Sequence, residues 1–212
     1  MVHFTLFGIP VYIRPSFWVV LAIFGGALSI SSVEDLIYPA LFVIAGFIAI
    51  LSHEMGHALV GRRLGGGQQT IVLELFGGLT SSHGMQLTRG GRALMILAGP
   101  MMTLLLGIIS LWLTWNIVAP VMASHNLDFW DLAISPFTAA LISPKLYILS
   151  CLIMIGEWWT LLNLLPIYPL DGGQLIAQYI RSPRKVFMTG FITAILIGLL
   201  SFQLFHGYFI PI

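Results

Sequence analysis

Two histidines and a glutamate occur together in this 212-residue chain, in the sequence His53-Glu54-Met55-Gly56-His57. On an α-helix, histidines four residues apart lie one turn from each other on the same face, which is the spacing that binds one zinc ion. The glutamate beside them is placed to act as a general base in hydrolysis. A catalytic zinc also needs a third protein ligand and one position open to water. The motif therefore predicts part of a zinc site with hydrolytic chemistry.

The motif lies in a chain that is too apolar for an ordinary soluble domain. Hydrophobic residues make up 58% of the sequence and charged residues only 8%, whereas a soluble domain has about 25% charged residues. The composition predicts a protein embedded in a lipid bilayer, where ionisable side chains are costly and mark functional sites. The net charge of +1 gives no basis for a nucleic-acid partner.

Five apolar runs reach or approach the about 20 residues that a membrane-spanning helix needs. They cover residues 16–31, 36–60, 93–118, 146–165 and 186–205, and the first is the shortest. Between the second and the third, an apolar and partly β-branched run followed by Gly77-Gly78 predicts a strand and a turn. We therefore expect an all-α polytopic membrane protein of about five transmembrane helices with a small membrane-associated β element, as a single membrane-embedded domain over residues 1–212.

The basic residues predict the orientation in the membrane, because Lys and Arg collect in cytoplasmic loops. With five spans, eight of the nine basic residues fall on one side and only Lys145 on the other. The eight are Arg14, Arg62, Arg63, Arg89, Arg92, Arg181, Arg184 and Lys185. This predicts a cytoplasmic N-terminus and an exoplasmic C-terminus. The small chain suits a prokaryotic cytoplasmic membrane, with an organelle membrane as the alternative.

Depth in the membrane favours Asp171 as the third zinc ligand. His53 precedes Arg62 by nine residues, roughly 13 Å along a helix, and Asp171 precedes Arg181 by ten. Glu157 falls near the middle of its own span. Two prolines and two glycines interrupt the helix between Asn163 and Gly173, and broken backbone at membrane depth is tolerated where it lines a cavity.

Other interpretations of these residues stay open at this point. The two histidines could form hydrogen bonds between helices without a metal. Asp171 could cap the short helix that follows it, and Asn163 could be a polar helix end. Glu157 could be structural, line a water path or orient a ligand.

Three motifs together resemble the signatures of the site-2 proteases, the zinc intramembrane metalloproteases. They are His53-Glu54-Met55-Gly56-His57, then Ala98-Gly99-Pro100, then Asn163-Leu164-Leu165-Pro166 with Leu170-Asp171-Gly172-Gly173. The motifs occur in the family's order, and the likeness covers about residues 36–181. It implies one catalytic Zn²⁺ held by His53, His57 and Asp171, with Glu54 as general base and Asn163 contacting substrate or the reaction centre. From the residues alone, Ala98-Gly99-Pro100 is interpreted as close packing and a kink rather than chemistry.

The resemblance also implies how substrate is bound. The β element resembles one that is proposed to pair with an unfolded substrate strand, which gives the substrate-binding residues Leu73, Glu74, Leu75, Phe76, Gly77, Gly78 and Leu79. The implied substrate is a single-span membrane protein, often trimmed first by another protease. Many members carry a PDZ or CBS domain, and neither is expected in these 212 residues.

Two functions of other classes remain as alternatives. A membrane metal transporter would share intramembrane His and Asp, but it does not require the glutamate of the His pair. Transporters often contain inverted repeats, and the sequence shows none. A catalytically inactive relative that only binds membrane proteins is the second alternative.

Overall fold

The computed structural model describes residues 1–75, 77–84, 86–125, 130, 133, 135–180 and 182–209, with the side chains of 120–125 and 199–209 outside the description. Phe76 and Arg181, used in the sequence-based predictions, lie outside the described residues. The chain divides into two compact units, Met1–Thr160 and Leu161–Ile212. The single membrane-embedded domain expected over residues 1–212 stays a prediction.

The first unit begins with a β-hairpin that the sequence did not lead us to expect. Strand β1 covers Val2–Leu6 and β2 covers Ile9–Ile13. The two residues between them, Phe7 and Gly8, have positive φ angles of 51° and 74°, as a two-residue type I′ hairpin turn requires. A phenylalanine in this conformation is uncommon, so the turn gave no recognisable signal.

A second hairpin contains Gly77-Gly78, which were predicted to form a turn and instead begin its second strand. It consists of β3, Gln68–Glu74, and β4, Gly77–His83. Strand β2 pairs in parallel with β3, and the sheet order is β1-β2-β3-β4. Thus β3 is an interior strand and β4 is an edge strand. Alternate residues of β2 and β3 are buried, and they form the core with residues of the following helices.

Helices make up most of the first unit. They are α1, Pro15–Phe24; α2, Ile37–Gly65; α3, Arg89–His125; α4, Pro136–Ala140; and α5, Pro144–Leu164, which ends in the second unit. Among the described residues, three helices are long and apolar enough to cross a membrane: Glu34–Gly65, Arg89–Ala119 and Pro144–Leu164. Helix α1 has ten residues and is about 15 Å long, half the thickness of the hydrocarbon core. The predicted count of five spans is therefore not confirmed.

Large apolar side chains on the long helices are exposed. On α3, Leu105, Ile108 and Trp112 are 50%, 55% and 64% exposed. Exposed apolar surface of this extent is typical of a surface that contacts lipid. The fold is mostly helical with a small sheet, which agrees with the predicted class in its main feature.

Two further helices lie among the described residues of the second unit. After the last turn of α5 the chain passes through a turn with a cis Tyr168–Pro169 bond. It then forms α6, Asp171–Ala177, and α7, Pro183–Phe209. Helix α7 covers the fifth predicted span, residues 186–205.

Candidate metal and catalytic site

The zinc motif lies on α2, where both histidines are buried. His53 is 2% exposed and His57 8%, and their Nε2 atoms are 3.1 Å apart. Two nitrogen ligands at 2.0–2.1 Å from one tetrahedral ion would be about 3.3 Å apart. The helical spacing therefore brings the two nitrogens to the separation that one shared ion needs.

The second nitrogen of His57 is bonded to α3. Its Nδ1–H donates to the backbone carbonyl of Met95, with Nδ1 and the oxygen 2.8 Å apart. A neutral imidazole that donates from Nδ1 has its lone pair on Nε2. This is the usual arrangement by which a backbone carbonyl orients a metal-binding histidine.

Gly99, from the Ala98-Gly99-Pro100 motif, lies against the histidine pair. A Cβ atom at this position would collide with the ring of His57 and would lie 2.9 Å from Nε2 of His53. On the facing helix α2, a Cβ atom at Gly56 would collide with the backbone carbonyl of Ala98, the residue before Gly99. The Ala98-Gly99-Pro100 motif was interpreted as close packing, and the structure adds a second consequence. The missing side chain of Gly99 also leaves space next to the ring nitrogens of His53 and His57.

Glu54 is 5% exposed, and its carboxylate lies against β4. The hydroxyl of Thr80 donates to Oε2 of Glu54 over 2.7 Å. A Cβ atom at Gly78 would lie only 2.6 Å from Oε1. Thr80 was missed from the sequence: the predicted substrate-binding run ends one residue earlier, and the contact depends on how β4 is placed along α2.

Trp159 on α5 forms another side of the site. Its ring meets that of His53 edge to face, with centroids 6.4 Å apart. Gly77 has a φ of +121°, and a Cβ there would lie 2.6 Å from the Trp159 ring. The Gly77-Gly78 pair therefore lets the start of β4 approach both Trp159 and Glu54.

The register of the β3–β4 hairpin determines which backbone groups face the open edge. Glu74 pairs with Gly77 across a two-residue connection, so these two form a hydrogen-bonded pair and such pairs then alternate along the ladder. The backbone N–H and C=O groups of Gly78, Thr80 and Ser82 consequently point away from β3. In agreement, Leu73, opposite Gly78, accepts a hydrogen bond from the backbone N–H of Arg14 on its other side.

In the second unit, Asp171 is 5% exposed and is the first residue of α6. The N-cap residue is Leu170, so Asp171 is not the capping residue. Side chains at Gly172 or Gly173 would collide with the backbone of the preceding turn, at Leu164 and Ile167 respectively. The two glycines therefore allow the close approach that fixes the start of α6.

Two other polar residues of α5 were singled out from the sequence. Asn163, in the last turn of the helix, is 9% exposed, and its contact with substrate or the reaction centre stays a prediction. Glu157 is exposed, and none of its proposed roles is tested by its position.

His53, His57 and Asp171 form a potential metal-binding site. All three residues are buried. Two imidazoles and a carboxylate are a donor set of catalytic zinc sites, which use three protein ligands and keep one position open. The residues present therefore fit a zinc ion.

Comparison with known proteins identifies the family. The model of peptidase family M50 matches residues 41–205. The chain belongs to peptidase family M50. It is 27% identical over 174 residues to a zinc metalloprotease of Methanocaldococcus jannaschii, covering 82% of this chain and 43% of that protein. It is 29% identical over 188 residues to a protein of Synechocystis sp. provisionally named a zinc metalloprotease, covering 83% and 43%.

A solved structure has the same fold. The site-2 protease from Methanocaldococcus jannaschii matches with a TM-score of 0.59 and 24% identity, covering 96% of this chain and 87% of that one. The predicted resemblance to the site-2 proteases is thus confirmed, and membership of M50 together with the apolar helices indicates a membrane protein. The chain spans less than half the length of the two relatives named above.

Proposed function

We propose that this M50 member is a zinc-dependent intramembrane endopeptidase that hydrolyses peptide bonds within or near transmembrane segments of membrane proteins. The observation that carries the proposal is the buried Glu54 beside two histidines whose Nε2 atoms are 3.1 Å apart. The names of the relatives support the same activity. Neither a transporter nor an inactive relative would need the glutamate at this position.

Each residue of the site has a distinct part in the proposed reaction. Bound by His53, His57 and Asp171, zinc would supply Lewis-acid chemistry, which polarises the scissile carbonyl and lowers the pKa of water. Glu54 takes a proton from the attacking water and delivers it to the leaving nitrogen. Asn163 donates its side-chain amide to the substrate backbone or to the developing oxyanion.

A substrate helix must unwind before cleavage, and the open edge of β4 offers a place to pair with it. An added strand would satisfy its backbone through the outward groups of Gly78, Thr80 and Ser82. Because β3 is paired with β2 through Ile71–Leu73 and with β4 on its other side, the proposed docking edge is β4 alone, and it extends beyond the predicted run to Ser82. Within that run, Leu73 and Glu74 lie on the interior strand, while Gly77, Gly78 and Leu79 lie on β4.

The substrate and its setting are proposed from family likeness and charge. We expect a single-span membrane protein that another protease has already trimmed, in the bilayer of a prokaryotic cytoplasmic membrane. The distribution of basic residues supports a cytoplasmic N-terminus, an exoplasmic C-terminus and a site that opens towards the cytoplasm.

The decisive experiment replaces Glu54 by Gln in the full chain and measures both zinc content and cleavage of a transmembrane peptide in proteoliposomes. We expect the variant to retain one zinc per chain and to lose cleavage. A Glu34→Gln variant, which changes an exposed glutamate outside the site, should cleave like the parent. Metal flux without proteolysis in the parent would instead support a transporter, and peptide binding without cleavage would support an inactive relative.

A further inference from the structure

One hydroxyl group contacts the proposed general base. The Oγ1 atom of Thr80 lies 2.7 Å from Oε2 of Glu54 and 3.1 Å from the backbone oxygen of the same residue. A threonine hydroxyl has one proton to donate, and hydrogen bonds to a charged carboxylate are shorter and stronger than those to a neutral carbonyl. The distances therefore favour donation to the carboxylate.

Two alternate residues of β4 hold this carboxylate on the same face of the strand. Side chains two residues apart on a strand point to the same side, so Gly78 and Thr80 both face Glu54. At Gly78 the absent side chain lets the carboxylate lie against the strand, and at Thr80 the hydroxyl binds one of its oxygens. Together the two residues of β4 hold the Glu54 carboxylate between this strand and α2.

The backbone of Thr80 points to the open edge of β4, while its side chain contacts Glu54. We propose that Thr80 is a positioning residue: its hydroxyl orients the Glu54 carboxylate and ties the base to the strand that substrate would join. This inference rests on the proposed protease function. It assigns a role to a side chain outside the zinc motif and outside the other two motifs.

The test compares Thr80→Val, which keeps the shape of the side chain and removes the hydroxyl, with Thr80→Ser, which keeps the hydroxyl. Loss of a hydrogen bond to a charged group should lower kcat about tenfold or more, with KM within about twofold of the parent and zinc content unchanged. The serine variant should recover kcat to within about threefold. Thr5→Val, the same change on the opposite edge of the sheet, should leave both constants at the parent's values.

The outcomes separate this inference from the function on which it rests. If the parent cleaves and Glu54→Gln does not, but Thr80→Val keeps the parent's kcat or changes only KM, Thr80 does not position the base. If the valine variant fails to fold, Thr80→Ala replaces it, and equal kcat for the alanine and serine variants overturns the inference. A Glu54→Asp background adds a check, since Thr80→Val should there cost less than in the parent. A parent that does not cleave overturns the protease function and this inference together.

Discussion

The carboxylate of Glu54 on α2 lies directly against the backbone of Gly78 on β4. The gap is so small that a Cβ atom at position 78 would fall 2.6 Å from Oε1. At this contact the strand has a residue without a side chain, which lets it approach the motif helix closely at Glu54, the residue after His53. Small changes at such contacts are expected to alter chemistry rather than overall folding.

Replacing Gly78 by Ala should move either the carboxylate or the strand. We expect kcat to fall about tenfold or more, since misplacement of a catalytic group by about 1 Å is costly, while zinc content stays at one per chain. Peptide cleavage and metal analysis on the same preparation provide the check. Gly90→Ala, at a position with no atom within 4 Å of the added Cβ, serves as control; a Gly78 variant as active as this control would contradict the prediction.

Gly99→Ala should instead weaken the binding of zinc. The new methyl group would collide with the His57 ring, so we expect zinc affinity to fall by about tenfold or more. Gly107→Ala on the same helix meets nothing within 4 Å and should keep full affinity, with a gain of about 0.5–1 kcal/mol in helix stability. Titration against a zinc chelator measures both variants. Equal affinities would show that the space at Gly99 has no part in metal binding.

Ser82→Pro should test the open edge of β4. Proline removes the outward backbone N–H, and the loss of one hydrogen bond should raise KM for the peptide about fivefold. The matched variant is Ser82→Ala. Both substitutions remove the Ser82 hydroxyl, which donates to the side chain of Gln69, so the difference between them isolates the contribution of the backbone N–H. Steady-state cleavage gives KM for the pair. The same KM in both would argue against strand pairing at this edge.

Thr103 and Thr160 connect α3 and α5 through a buried hydrogen bond of 2.6 Å between their hydroxyls. Thr103→Val should lower the free energy of unfolding in mixed micelles by about 1–2 kcal/mol, and the pair should show a coupling of about 0.6–1.7 kcal/mol in a double-mutant cycle. Among the described residues, Thr114, equally buried on α3, donates to the carbonyl of Ser110 on its own helix. Thr114→Val should therefore cost less, and a larger loss there would contradict a role for the link between the two helices.

The sequence predicted the members of the potential metal site better than their surroundings. His53 and His57 could be assigned because helical spacing alone brings them together, and Asp171 because broken helix at membrane depth indicates a cavity. The role of Glu54 as general base stays a prediction. Gly77 and Gly78 were predicted to form a turn, but they begin strand β4. Their effect in the structure, close approach to Trp159 and Glu54, depends on contacts between elements distant in the chain, which local patterns do not report.

The N-terminal strands and Thr80 could not be predicted for related reasons. The β1–β2 turn uses Phe7 at positive φ, a conformation that no propensity favours. Thr80 looks like any strand threonine, and only the register of β4 against α2 brings its hydroxyl to Glu54. The run predicted to bind substrate, residues 73–79, likewise includes residues of both β3 and β4. The sequence pattern does not reveal which of the two strands is interior.

The parallel pairing of β2 with β3 has a consequence for the order of assembly. Parallel neighbours need a long crossover connection, and here α1 and α2 lie between the two strands. During synthesis, β2 therefore cannot pair with β3 until α2, the helix with the histidines, and then β3 itself have been made. Glu54 acquires its hydroxyl partner later still, when β4 pairs with β3. A nascent chain that stops short of residue 80 therefore contains the histidine pair and Glu54 but lacks the Thr80 hydroxyl that would orient the Glu54 carboxylate.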